Sequence, residues 1–148
     1  MVQRGMMELT GAPSYITAWS KLFSRNDVVG IKVNPNGISS IVSSKAVVLS
    51  IIDGVHGLWN AGPQGSQNFV WDHRTMYFGT DVVATDRIGW KAIDSQRLLA
   101  GLPPEESSGA DGWDSWSIRQ PQHITQAGQN GLGEFRDDHI DYRLVTLA

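Results

Sequence analysis

The sequence predicts an α/β fold: a small mixed sheet of about four or five strands, a central helix buried on two sides, and one or two flanking helices. Three observations carry this reading. Two short runs rich in β-branched residues, Val28 to Val33 and Ala46 to Ile52, are too brief for helices. A long stretch from Asp81 to about Ala100 repeats its apolar residues at helical spacing on two opposite sides. Turn-forming clusters separate these segments, namely Asn34-Pro35-Asn36-Gly37 and the glycine-rich stretch Gly54 to Gly65.

In chain order, residues 1–12 read as a loose lead-in. Pro13 suits an early helical position, and Tyr15, Ile16, Trp19, Leu22 and Phe23 recur at helical spacing, so 13–24 reads as an amphipathic helix. Ser24 to Asp27 breaks it. Val28, Val29, Ile31 and Val33 then form a buried strand, which the Asn-Pro-Asn-Gly turn ends. Ile38 to Ser44 is serine-rich and weakly patterned, and Ala46 to Ile52 is the second apolar strand. Gly54 to Gly65 holds four glycines and a proline, a composition that permits close backbone approach. Phe69 to Trp71 and Thr75 to Phe78 read as short strands around an Asp72-His73-Arg74 turn.

Thr80 is the expected N-cap of the long helix, with Asp81 in its first turn, where the helix dipole favours an anion. At ~100° per residue, Val82, Val83, Trp90 and Ile93 fall on one side, and Ala84, Ile88, Ala92 and Leu99 on the other. Asp86 falls within the Val82–Trp90–Ile93 face, where a carboxylate needs hydrogen bonds, a cation or a metal. Gly101 and Pro103-Pro104 end the helix. Glu105 to Ser117 reads as a surface loop carrying Trp113 and Trp116, and Pro121 to Ala127 as a short helix stopped by Gly128, Gly131 and Gly133. Ile140, Tyr142 and Leu144 alternate with Asp141 and Arg143, the pattern of a half-buried strand.

At 148 residues the chain is expected to form a single domain. Apolar residues make up 41% and charged residues 18%, a globular rather than disordered composition. The net charge of −3, without a Lys/Arg run, argues against a nucleic-acid partner. The absence of cysteine excludes disulfides, thiolate nucleophiles and iron–sulfur clusters bound through cysteine. No apolar run approaches the ~18 residues of a membrane span, and the opening MVQRGMMELTGAPSY lacks the apolar core of a signal peptide. A cytoplasmic chain without membrane partners is the expectation.

Several phrases in order, VVGIKVNPNG, LSIIDGVHGLWNAGP, FGTDVVATDRIGW, GLPP and AGQNGLG, are spread over about two-thirds of the chain. Together the chain resembles the uncharacterised "domain of unknown function 362" family. In that family a strand ending in Asp-Gly is followed by a glycine/proline loop, and an Asp-x-Val-Ala-x-Asp segment opens a helix. Family members place a long α/β stretch between the turn and the Asp-Gly strand, whereas few residues separate Gly37 from Ala46 here. The chain thus resembles an internally shortened member, with a seam near 38–44. Some relatives carry cysteine-rich iron–sulfur segments, and the family more often has proline at the position of Val82. The resemblance implies a fold class more than a function, since the family's activity is itself unsettled.

Asp53 and His56 flank a glycine turn, and Asp81, Asp86, Asp72 and His73 are expected near a common cleft. Asp53, His56 and Asp81 supply the oxygen and imidazole ligands that suit magnesium, manganese or zinc. The alternative is that Asp53 and Asp81 cap a turn and a helix and the histidines are surface residues. In the loop Asn60-Ala61-Gly62-Pro63-Gln64-Gly65, backbone N–H groups around Asn60, Gly62 and Gly65 would cradle an anion, or the loop is a plain connection. Asp86 and Asp53 are the candidate catalytic carboxylates, Asp86 for its apolar surroundings, although Arg87 or Arg97 would equally neutralise it as a structural pair. Trp59, Trp71, Trp113 and Trp116 are candidates for an aromatic pocket or for core and rim.

Two readings of function follow. One is a metal-dependent enzyme or small-ligand-binding domain with an acidic centre. The other is a non-catalytic scaffold or interaction protein, a shortened relative lacking activity. Exposed strand edges at the seam would favour a homodimer.

Overall fold

The computed structural model describes residues 1–29, 47–61, 67–105, 107 and 120–147. Within them lie four helices and two antiparallel two-stranded ribbons. Helices α1 (Val2–Thr10) and α2 (Tyr15–Leu22) precede β1 (Ser50–Gly54) and β2 (Gly57–Leu58). A 3-10 turn at Gln67–Phe69 leads into β3 (Val70–Trp71) and then β4 (Thr75–Gly79). Helix α3 (Val82–Leu99) and helix α4 (Gln122–Gln129) follow. The α/β class matches the expectation. The strands differ from the expected mixed sheet, because among the described residues β1 pairs only with β4 and β2 only with β3, both antiparallel.

The lead-in expected at 1–12 is a helix. Met6 is fully buried and, with Ala12 and Ala18, forms a core that Trp19, Leu22, Leu49 and Phe78 extend. Gly5 lets α1 lie directly on the Phe78 ring, which a Cβ there would overlap. That contact, absent from local sequence, holds the helix. Gly11 ends it at φ 61°, a left-handed conformation in which glycine carries no Cβ penalty. Ser14 caps α2, accepting a hydrogen bond from the Thr17 N–H at 3.2 Å.

Successive residues of β4 point to opposite faces of the ribbon. Phe78, opposite Ile51, packs toward α1 and α2. Tyr77, opposite Ile52, points the other way, and Ile52 approaches Gly89 on α3. The ribbon is therefore covered on both faces. Helix α3 is in turn covered on two sides, by the ribbon and by α4, where Val83, Trp90 and Ile124 form a second core with Ala127 and Phe135. The two-sided helix expected from the sequence is present, although Leu99 at its end is exposed.

Asp81, not Thr80, is the N-cap of α3. Its Oδ1 accepts from the N–H groups of Val83 at 2.8 Å and Ala84 at 3.0 Å. Its Oδ2 accepts from the Glu134 N–H at 2.8 Å, 53 residues later. Gly133 lies so close that a Cβ would overlap the carboxylate. Val28 and Val29 are exposed and outside any strand, and the rest of that expected strand, like the seam at 38–44, falls outside the described residues. The strand expected around 140–144 is not formed among the described residues; the segment lies outside any strand, and the Tyr142 N–H donates to the Ile140 carbonyl at 2.9 Å.

Candidate functional site

The expected acidic centre is dispersed. Asp53 sits at the Met76 position of the ribbon register, on the face turned away from Tyr77 and α3. It is exposed, and its carboxylate accepts from the Val55 N–H at 3.1 Å, a local turn bond. His56 is exposed and pairs through Nδ1 with Asp72 at 3.0 Å. Asp81 spends its oxygens on the helix cap and on Glu134. Among the described residues, no three His, Asp or Glu side chains are grouped to hold a metal ion.

Asp86 is exposed on α3 rather than buried on its apolar face. Loss of surrounding water to protein pushes its carboxyl above the ordinary value, and the His123 charge on α4 pulls the other way. The side chain sits at the protein–water boundary, partly stripped of water yet in contact with solvent, and His123 on α4 supplies a nearby charge, so it is not an isolated buried carboxylate. Asn60 is buried, and its Oδ1 accepts from Arg97 Nη1 at 2.7 Å. It belongs to a structural network rather than to an open loop. Gly62 and Gly65 lie outside the described residues, as do Trp113 and Trp116.

Other residues do converge. Trp71, His73 and Tyr77 form a row of rings, with centroids 5.2 Å apart for Trp71 and His73 and 5.7 Å for His73 and Tyr77. The row lines a groove of about 410 Å³ against α3, whose far side is Ile88, Lys91 and the ring of Tyr142. A wider cleft of about 730 Å³ continues from it past the open side of β4, between α1 and residues 140–147. Tyr77, Ile88 and Tyr142 line both. Lys91 donates to Asp137 at 2.9 Å, which also takes two hydrogen bonds from Arg87. Those bonds hold the Asp137 carboxyl below its ordinary value, with Arg87 the larger cause.

The Tyr77 hydroxyl and His73 Nε2 share a hydrogen bond. Burial pushes the Tyr77 phenol up to about 12, helped by the neighbouring Tyr142, and pushes the His73 imidazole down. Both groups are thus held in their neutral forms near pH 7, with Tyr77 donating to the imidazole or accepting from it. The folded chain keeps its tyrosine proton where the unfolded chain, at an ordinary 10.0, has lost it. Stability from Tyr77 is therefore full below pH 10.0 and is lost as pH rises through about 12. For His73 the sign reverses, and stability is lost as pH falls below the ordinary 6.5. Urea unfolding across the alkaline range should show a steeper loss for the native chain than for Tyr77→Phe. Coincident slopes would disprove the buried phenol.

No family model, curated relative or solved structure matches the chain. The site must therefore be read from its own residues. Trp71 and His73 were candidates from sequence, while Tyr77, Lys91 and Tyr142 were not. The available signal was alternation: Tyr77 sits between Met76 and Phe78 in a strand covered on both faces, where a phenol needs a partner.

Proposed function

We propose that this chain is a small-ligand-binding domain whose groove takes a flat ring bearing a hydrogen-bond acceptor. The observation that carries the reading is the convergence of Trp71, His73, Tyr77 and Tyr142 on one groove of about 410 Å³, within the size range of small-molecule sites. Aromatic walls favour a planar ligand through stacked or edge contacts. Among the described residues lining the groove, Lys91 is the side chain with a full charge, and none is a carboxylate. Lys91 shares Asp137 with Arg87, so it is held in place and still offers N–H donors, and the fitting group is an acceptor oxygen or nitrogen. The kinship with the family of unknown function belongs to the same proposal and rests on the order of the sequence phrases alone.

The test is a screen of monocyclic and bicyclic heteroaromatic compounds by ligand-detected NMR, with affinities measured for Trp71→Ala and Lys91→Ala. Loss of stacking is expected to weaken binding by roughly two- to tenfold in Trp71→Ala. If no ring compound binds, or if hits bind both variants as tightly as the native chain, the groove is not the site.

A further inference from the structure

The ribbon of β1 and β4 leaves the outer edge of β4 without a strand partner among the described residues. Beside that edge run residues 140–147, outside any helix or strand, as one wall of the wider cleft; within them the Tyr142 N–H donates to the Ile140 carbonyl at 2.9 Å, a local turn that strand pairing would open. Its apolar side chains are poorly covered, with Tyr142 at 50% exposure and Leu144 at 74%. Arg143 Nη2 and Asp141 Oδ2 form an ion pair at 2.5 Å, which places 141 and 143 on one side of the chain. Ile140, Tyr142 and Leu144 occupy the alternate positions.

We propose that residues 140–144 pair antiparallel with the same residues of a second copy about a two-fold axis at Tyr142. The pattern is complementary to itself. With Tyr142 opposite the partner's Tyr142, Asp141 faces the partner's Arg143, and Arg143 faces the partner's Asp141. Ile140 then faces the partner's Leu144, so the apolar residues of both copies share one face and the charges the other. Register is selected as well. A slip of two residues in one direction sets Asp141 against the partner's Asp141, and in the other Arg143 against the partner's Arg143. Like charges directly opposite each other destabilise a strand pair. Such an isologous contact gives the backbone groups of 140–144 in both copies their strand partners.

The experiment is sedimentation equilibrium on the native chain, on Asp141→Arg, on Arg143→Asp, and on an equimolar mixture of the two variants, with circular dichroism confirming each fold. The native chain is expected to dimerise. Each variant alone opposes like charges twice and is expected to dimerise at least about tenfold more weakly. The mixture restores Arg against Asp only between chains, so it is expected to recover the native association. That recovery separates contact between copies from the ion pair inside one segment and from the influence of Glu8, which faces Arg143 across the cleft. A native chain that stays monomeric overturns the proposal. So do single variants that dimerise like the native chain, or a folded mixture no stronger than its components.

Discussion

Replacing Arg97 with methionine is expected to cost about 3–5 kcal/mol, the usual loss when one partner of a buried charged network is removed. Arg97 is fully buried at the end of α3. Its Nε donates to the Pro103 carbonyl at 2.8 Å, and its Nη1 donates to Asn60 Oδ1 at 2.7 Å and contacts Glu105 Oε1 at 3.1 Å. One planar guanidinium thus ties the helix end to the segment after β2 and to the chain that leaves the helix. Methionine fills much of the volume and leaves Asn60 and the Pro103 carbonyl without their donor. Arg97→Lys keeps the charge but not the fork of donors, so it is expected to recover only part of the loss. Glu105→Gln keeps an acceptor but removes the charge that faces the buried guanidinium, and is expected to cost about 1.5–3 kcal/mol. Urea unfolding of the three variants gives the ranking. An Arg97→Met chain within 1 kcal/mol (roughly the value of a single neutral hydrogen bond) of the native one would show that the network is not a structural tie.

Asp81→Ala is expected to lower stability by about 2–4 kcal/mol, from loss of a helix cap and of the acceptor for a distant N–H. The carboxylate closes two things at once. Oδ1 satisfies two free donors at the start of α3, and Oδ2 holds Glu134, which places Phe135 against α4. For a chain of this size the loss corresponds to a drop in Tm of roughly 5–15 °C. Asp81→Asn keeps one acceptor oxygen and is expected to retain the cap but not the Glu134 bond. Hydrogen exchange resolves the two roles: in Asp81→Asn the Glu134 amide should lose protection while Val83 and Ala84 keep theirs. Equal protection of all three amides in both variants would disprove the double role.

Asp81 also shows how far the sequence could be read. An acid at the start of a long helix is a local signal, and the helix begins there. Whether the acid sits in the first turn or caps it shifts by one residue, and the choice follows from the Glu134 contact, which no local pattern contains. Helix α1 was missed for a related reason. Gly5 weakens local helix propensity, and the segment is helical because Met6 enters a core and Gly5 lies on Phe78. Asp86 illustrates the opposite error. Its angular position placed it among apolar residues, but the packed core of that face consists of Val83 and Trp90 with Ile124 of α4, while Asp86 keeps contact with solvent beside His123.

Spacing along the chain was enough to find the elements whose physics is local: α2, β4, α3 and α4, the glycine after α3, and the two apolar sides of the central helix. Periodicity says which side of an element avoids water, because that depends only on spacing along the chain. It does not say which polar group will meet which. The ties from Arg97 to Asn60, from Asp81 to Glu134 and from Lys91 to Asp137 join residues 37, 53 and 46 positions apart. Only the packed structure brings these groups within hydrogen-bonding distance. The same packing turned Asp53 away from the groove and set the rings of Trp71, His73, Tyr77 and Tyr142 around it, moving the candidate site from the acidic turns to an aromatic cleft.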